Sequence, residues 1–342
     1  MRHHLNYFYR HPDPIYFSLE KLFTALGRQI AVAHTLEFEV KDTTLPASSS
    51  LRSILPNIRY VKKNQGEINH ITGDVHYAIL GCSRRNVNVL TIHDCVLLHR
   101  YPKSSLRYWI FKWLWYDLPV RKADAVTVIS ENTKRELLHF ISCDAAKIRV
   151  IPNFADPLFL PVRHGAENKK PRILFIGSTP NKNLERLIEA MDGMEVKLDI
   201  VGNPTGEQLH LLERHHIDYE RSSGLTQEAL VEKYIQSDLL AFPSTYEGFG
   251  LPIIEAQAIG RPVLTSNLSP MREVAGQGAC LVDPYDIAAI REGIEAILDK
   301  EDYRKHIIEE GFNNRRRFSL DKVADQYVAL YQDLLQQKLN NS

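Results

Sequence analysis

Phe242-Pro-Ser-Thr-Tyr-Glu-Gly-Phe-Gly-Leu-Pro-Ile-Ile-Glu-Ala-Gln-Ala-Ile-Gly260 is the stretch from which the fold is read. It opens on the last residue of a short apolar run, Leu239–Phe242, bounded by turn residues and so read as a buried strand. Gly248-Phe249-Gly250 then supplies a turn whose backbone is free to approach a ligand closely. Pro252 stands where a helix begins, because a first-turn residue has no use for an amide hydrogen. Strand, glycine turn and helix in immediate succession form the repeating unit of a parallel α/β sheet. Free N–H groups and the helix dipole at such a junction favour an anion such as a diphosphate.

The alternation continues on both sides. In the second half, strands are expected at Arg172–Ile176, Lys197–Val201, Leu239–Phe242, Pro262–Ser266 and Ala279–Val282. Helices are expected between them at Leu184–Met191, Glu207–Arg214, Gln227–Gln236 and Pro252–Ile259. The first half predicts strands at Gln29–Leu36, Ile68–Thr72, Val87–Ile92, Ala125–Ile129 and Lys147–Ile151, with helices at Ser18–Leu26, Ser104–Asp117 and Glu131–Phe140. Residues 37–66 read as loops around one strand. Asp156–Lys170, with Pro157, Pro161 and Gly165 and little periodicity, reads as a linker. The expected fold is therefore α/β: two doubly wound, Rossmann-like domains, residues 1–160 and 161–320, with an interdomain cleft at the carboxyl ends of their strands. Asp286–Leu339 is helical in pattern, and its last part, 321–342, is expected to pack back on the first domain.

At 342 residues the chain is long enough to bury two cores without disulfide or metal staples. Cys82, Cys95, Cys143 and Cys280 make no C-x-x-C pair, which fits a reducing, cytoplasmic compartment. No run reaches the ~18 apolar residues of a membrane span. The formal net charge is zero, yet residues 1–164 hold 22 Lys/Arg against 14 Asp/Glu, and residues 165–342 hold 20 against 28. A basic half suits an anionic partner, either a membrane surface bound peripherally or a lipid-phosphate acceptor; uneven drift of surface charge is the alternative.

Glu247 and Glu255 bracket the glycine turn, with seven residues between them. Carboxylates accept paired hydrogen bonds and so suit vicinal hydroxyls of a hexose or ribose. Alternatively, Glu247 complements the helix dipole and Glu255 pairs with a cation. Upstream, the strand Ile173–Gly177 runs into Ser178-Thr-Pro-Asn-Lys182, a glycine-then-helix junction that places Lys182 to neutralise a diphosphate. Val89-Leu-Thr-Ile-His93-Asp94 ends a buried strand on polar residues that point into the ligand crevice; a purely structural histidine is the other reading.

These segments together resemble the retaining group 1 glycosyltransferases of family 4, which have the GT-B fold. The resemblance rests on Phe-Pro-Ser-x-x-Glu-Gly-Phe-Gly-Leu-Pro, then Glu-Ala, Gly-x-Pro-Val and Val282-Asp283-Pro284, and covers roughly residues 68–300. It implies that Glu247 binds hydroxyls of the transferred sugar and Glu255 holds the ribose. Gly248, Phe249, Gly250 and Leu251 would supply backbone contacts to the sugar and phosphates. Lys182, with Gly177 and Ser178, would hold the diphosphate, and His93 would lie beside the anomeric carbon. A UDP- or GDP-linked sugar as donor and a glycan or lipid-linked acceptor, in cell-surface polysaccharide or lipopolysaccharide synthesis, complete the implied function. Residues 1–160 become the acceptor-side domain. The chain departs from the family twice: Ser178 stands where an arginine is common, and Arg10–Ser18 carries no glycine-rich loop.

No Asp-x-Asp pair occurs, so neither a metal site nor a cofactor is expected. There is also no nucleophile elbow, no nucleoside-triphosphate loop and no aromatic-basic stripe of a nucleic-acid binder. Trp109 and Trp113, four apart, are expected to pack inward, although with Trp115, Arg107 and Lys112 they could instead form an interfacial helix. A sugar-nucleotide epimerase or hydrolase, or a non-catalytic sugar-nucleotide binder, would use the same donor residues.

Overall fold

The computed structural model describes residues 2–11, 18–48, 50–162 and 169–340. Most of the Arg10–Ser18 segment and the middle of the expected linker lie outside them. The chain forms two compact units, one joining the described residues up to Asn153 with Leu320–Asn340, the other running from Phe154 to Ser319. Among the described residues no helix is long and apolar enough to cross a membrane.

The first unit contains β1 (His3–Tyr9), α1 (Ser18–Ala33), β2 (Phe38–Thr44), α2 (Ile54–Asn64), β3 (Ile68–Ile71) and β4 (Val87–Ile92). It continues with α3 (Val96–Arg100), α4 (Leu106–Phe111), a π-helical turn at Lys112–Asp117, α5 (Leu118–Lys122), β5 (Ala125–Val128), α6 (Glu131–Phe140) and β6 (Ile148–Val150). The strands pair in parallel in the order β2-β1-β3-β4-β5-β6. Parallel strands covered on both faces read as continuous apolar runs, and β4 is buried along its whole length.

The strand expected at Gln29–Leu36 is instead the end of α1 and the turn after it. Phe23, Leu26 and Ile30 are buried at helical spacing, while Val32 and Leu36 are exposed. The missing strand is β1, whose histidines and tyrosines disguise it although it is buried from Leu5 onward. Residues 37–66, expected to be loops around one strand, hold that strand as β2 and a helix, α2, that was not expected.

The second unit contains β7 (Arg172–Ile176), α7 (Leu184–Ala190), β8 (Lys197–Val201), α8 (Gly206–Arg214), β9 (Asp218–Ser222) and α9 (Gln227–Gln236). After these come β10 (Leu239–Phe242), α10 (Leu251–Ile259), β11 (Val263–Ser266), α11 (Met271–Ala275), β12 (Cys280–Val282), α12 (Ile287–Asp299) and α13 (Glu301–Arg315). The parallel order is β12-β11-β10-β7-β8-β9, so the strand order reverses between β7 and β10. Such a reversal splays the two following loops apart and opens a crevice at the strands' carboxyl ends. β9 escaped the sequence reading because it is a polar edge strand with no buried residue.

The last helix, α14 (Leu320–Asn340), lies on the first unit's sheet. Tyr331 there shares hydrogen bonds with the Tyr7 hydroxyl (3.0 Å) and His70 Nδ1 (2.7 Å). His70 Nε2 contacts the Thr91 hydroxyl, which contacts that of Thr127, both at 2.6 Å. A buried polar row thus crosses four strands with every member satisfied, the condition under which such a row specifies packing.

Candidate active site

The loops after β7 and β10 meet at the second unit's switch point, and asparagines join them. Asn183 adopts a left-handed conformation (φ 68°), which asparagine tolerates better than most residues. Its buried amide donates to the carbonyls of Pro243 (3.0 Å) and Pro284 (2.6 Å). Asn181 donates to the Tyr246 carbonyl at 2.9 Å and accepts the Thr245 amide at 2.8 Å. Sequence reasoning passed over both asparagines; their signal was the Asn-Lys-Asn pattern around the expected phosphate lysine.

This stitching brings Lys182 and Glu247 together. The ammonium lies 2.7 Å from Glu247 Oε1 and 4.8 Å from the centre of the Phe242 ring. Both side chains are mostly buried, so the pair is less screened than a surface one. Gly177, at φ 98°, makes room for the lysine stem: a Cβ there would come within 2.9 Å of Lys182 Cε and Cγ. The Ser178 hydroxyl accepts the Asn203 amide at 3.0 Å and so ties the loop after β8 to this one.

Gly250 is the N-cap of α10 at φ 108°, and the helix starts one residue earlier than expected, at Leu251. The side chain of Phe249 is buried, edge-on to Phe318 with centroids 5.6 Å apart, which leaves its backbone as the part available to a ligand. Gly248 precedes it in the same turn. Glu255, on the second turn of α10, accepts the Tyr234 hydroxyl at 2.7 Å. Burial pushes its carboxyl up to about 7, Asp156 adds to this, and the Tyr234 bond and Lys182 pull it back. Lys182, Glu247 and Glu255 thus form one electrostatic group.

His93 belongs to the first unit, directly after β4. It is buried, neither ring nitrogen has a hydrogen-bond partner among the described residues, and it stands edge-on to Phe23 at 5.9 Å. Burial, then His76 and Arg10, lower its pKa to about 3, so the ring is neutral near pH 7. Its carbonyl accepts the Thr133 hydroxyl at 3.4 Å. A buried polar group without a partner is uncommon and calls for a reason beyond packing.

The expectation that Trp109 and Trp113 pack inward is corrected. They are 55% and 54% exposed, whereas Trp115 is 2% exposed. Trp115 takes the interior by donating its indole N–H to the Asp74 carbonyl at 2.7 Å. Leu106, Trp109 and Trp113, three and four residues apart, share one face, and that face is the outer one.

Known proteins place this arrangement. The family model of glycosyl transferases group 1 matches residues 159–314, and that of glycosyltransferase family 4 matches residues 14–158. The MMP alpha-(1->4)-mannosyltransferase of Mycolicibacterium hassiacum is 26% identical over 71% of this chain, and the match spans 64% of that protein. The O-antigen chain mannosyltransferase B of Escherichia coli is 28% identical over 71% of this chain and 69% of its own. In fold, the Anabaena HepE structure with UDP and glucose superposes with a TM-score of 0.75 at 15% identity, covering 97% of this chain and 100% of that one. With both sheets, the switch-point loops and two adjoining family models in agreement, the chain belongs to the group 1, family 4 glycosyltransferases of GT-B fold.

Proposed function

We propose that the protein transfers a hexose, with retention of anomeric configuration and without a metal ion, from a nucleoside-diphosphate sugar to a glycan or lipid-linked acceptor. The observation that carries this is the Lys182–Glu247 pair held across the two loops of the switch point. A diphosphate seated there competes with Glu247 for Lys182. Released from its partner, Glu247 turns its carboxylate to the sugar hydroxyls, while Glu255 takes the ribose. Lys182, the backbone of Gly248–Leu251 and the α10 dipole then stabilise charge growing on the departing diphosphate. The bond from the anomeric carbon to the diphosphate oxygen breaks as the bond to the acceptor oxygen forms. The acceptor's proton passes to the diphosphate on the same face. His93, neutral and without a hydrogen-bond partner among the described residues, is assigned to the reacting sugar.

The relatives' names, a mannosyltransferase and an O-antigen chain mannosyltransferase, support cell-surface glycan synthesis, and UDP and glucose in the HepE structure support a UDP-linked sugar alongside a GDP-linked one. The exposed row Leu106, Trp109 and Trp113 beside Arg107 supports peripheral contact with a membrane carrying a lipid-linked acceptor. A thermal-shift screen of UDP, GDP, ADP and their sugars tests the donor site; a nucleotide well above its dissociation constant raises the melting temperature by several degrees. Nucleotide release that requires an acceptor supports transfer. Equal release without any acceptor supports a hydrolase or epimerase, and binding without turnover overturns the enzymatic reading.

A further inference from the structure

Six cations of the first unit gather at one end of its sheet. Arg84 lies shortly before β4, Arg121 and Lys122 shortly before β5, and Lys147 and Arg149 at the start of β6. Parallel pairing sets these three strand starts side by side. Lys338, near the end of α14, reaches them by bonding Asp124 at 2.7 Å and the Arg84 carbonyl at 2.9 Å. The six cations line a cavity of about 670 Å³, a volume typical of small-ligand sites.

Three carboxylates share the cavity, and two are already committed. Asp124 accepts Lys338 and the Asn88 amide; Asp144 accepts the Ala146 amide. Asp124 with Lys338 is the one ion pair within 4.0 Å that the six cations make among the described residues. Satisfying the backbone explains part of the cluster, since Lys147 donates to the Arg121 carbonyl and cations suit the end of α5. It leaves Arg84 and Arg149 unexplained. Lys122 and Lys147 are held below the usual lysine range, by burial first and then by repulsion from Arg84 and Lys338. An anion in the cavity relieves both.

We infer that this cavity binds a phosphate anion, whether a free phosphate ester or diphosphate or the phosphate of a lipid headgroup. It is a second site: six-residue β4 separates it from His93 by roughly 20 Å, and none of its residues serves the proposed transfer.

The test uses the full chain with Lys182→Ala, which removes the other cation assigned to a diphosphate. Millimolar pyrophosphate is expected to raise the melting temperature by several degrees in this background. Adding Lys122→Gln and Lys147→Gln is expected to abolish the shift, as is Arg149→Gln at an exposed position, with the far-ultraviolet circular dichroism unchanged. An equal shift after the glutamine substitutions overturns the site. In a parallel arm, Trp109→Ser/Trp113→Ser protein is floated with phosphatidylglycerol or phosphatidylcholine vesicles. Flotation with phosphatidylglycerol alone that is lost with Lys122→Gln/Lys147→Gln identifies a headgroup. A pyrophosphate shift without flotation identifies a free phosphate. Failure of both arms overturns the site and leaves the transfer reading, which rests on Lys182 and Glu247, untouched.

Discussion

Glu247 and Glu255 carry the same group in different surroundings. Glu247 has a cation at 2.7 Å, whereas Glu255 has a phenol, and burial leaves its carboxyl titrating near 7. If ionised Glu255 grips the ribose, nucleotide affinity rises between pH 6 and pH 8. Tyr234→Phe deletes a bond that favours the charged form, so it moves the rise to higher pH. Calorimetric titrations at several pH values check this, and a flat dissociation constant would remove Glu255 from the nucleotide. Glu247→Ala is expected to lower turnover by about two orders of magnitude or more, with a smaller effect on nucleotide binding. Unchanged kinetics would return the Lys182–Glu247 pair to a structural role.

At the scale of elements, the decisive objects are the two loops at the switch point and the glycine and asparagine geometry that shapes them. Gly177→Ala strains a positive φ and drives a methyl into the Lys182 stem, so donor affinity should fall about tenfold while the fold persists. Asn183→Ala leaves two carbonyls without their donor and should cost about 2–5 kcal/mol by denaturant unfolding. Asn183→Gly, which keeps the left-handed backbone, should cost less. The β10–turn–α10 element was legible because periodicity, glycine and proline agree there. The asparagine bridge was not, because it depends on loops about sixty residues apart that only the folded sheet brings together. β1 and β9 were hidden for a related reason: burial of Tyr7 and pairing of a polar edge are decided by neighbours, not by local pattern. The tryptophans went wrong because four-residue spacing shows that two residues share a helix face, not that the face is the buried one.

Over the whole molecule, three buried histidines set the response to acid. His70, His76 and His93 have folded pKa values lowered to about 3, 4 and 3, burial being the first cause of each. Below the ordinary value of 6.5 the unfolded chain takes up protons that the folded one refuses. Their contribution is therefore present above pH 6.5 and is lost as the pH falls toward 3, at roughly 1.4 kcal/mol per pH unit for each proton refused. Glu255 opposes one of them between about 4.5 and 7, because its folded form holds a proton longer. His70→Gln should flatten the pH dependence of unfolding by about one proton, measured as the denaturation midpoint from pH 8 to pH 5; an unaltered slope refutes the assignment. Removing residues after Ser319 strips Tyr327 and Tyr331 from the first unit's sheet. Amide-exchange protection should then vanish from β1, β3 and β4 and survive in β7 and β10.

The placement of α14 also governs how the protein is made. The second unit is encoded as an insertion within the first, so the ribosome emits 166 residues, Phe154–Ser319, between the sixth strand and the helix that covers its sheet. At roughly 5–20 residues per second, the nascent sheet waits on the order of ten seconds or more with the flank around Tyr7 and His70 uncovered. The later-encoded unit can therefore complete its core first, while the earlier one keeps that flank uncovered until synthesis delivers α14.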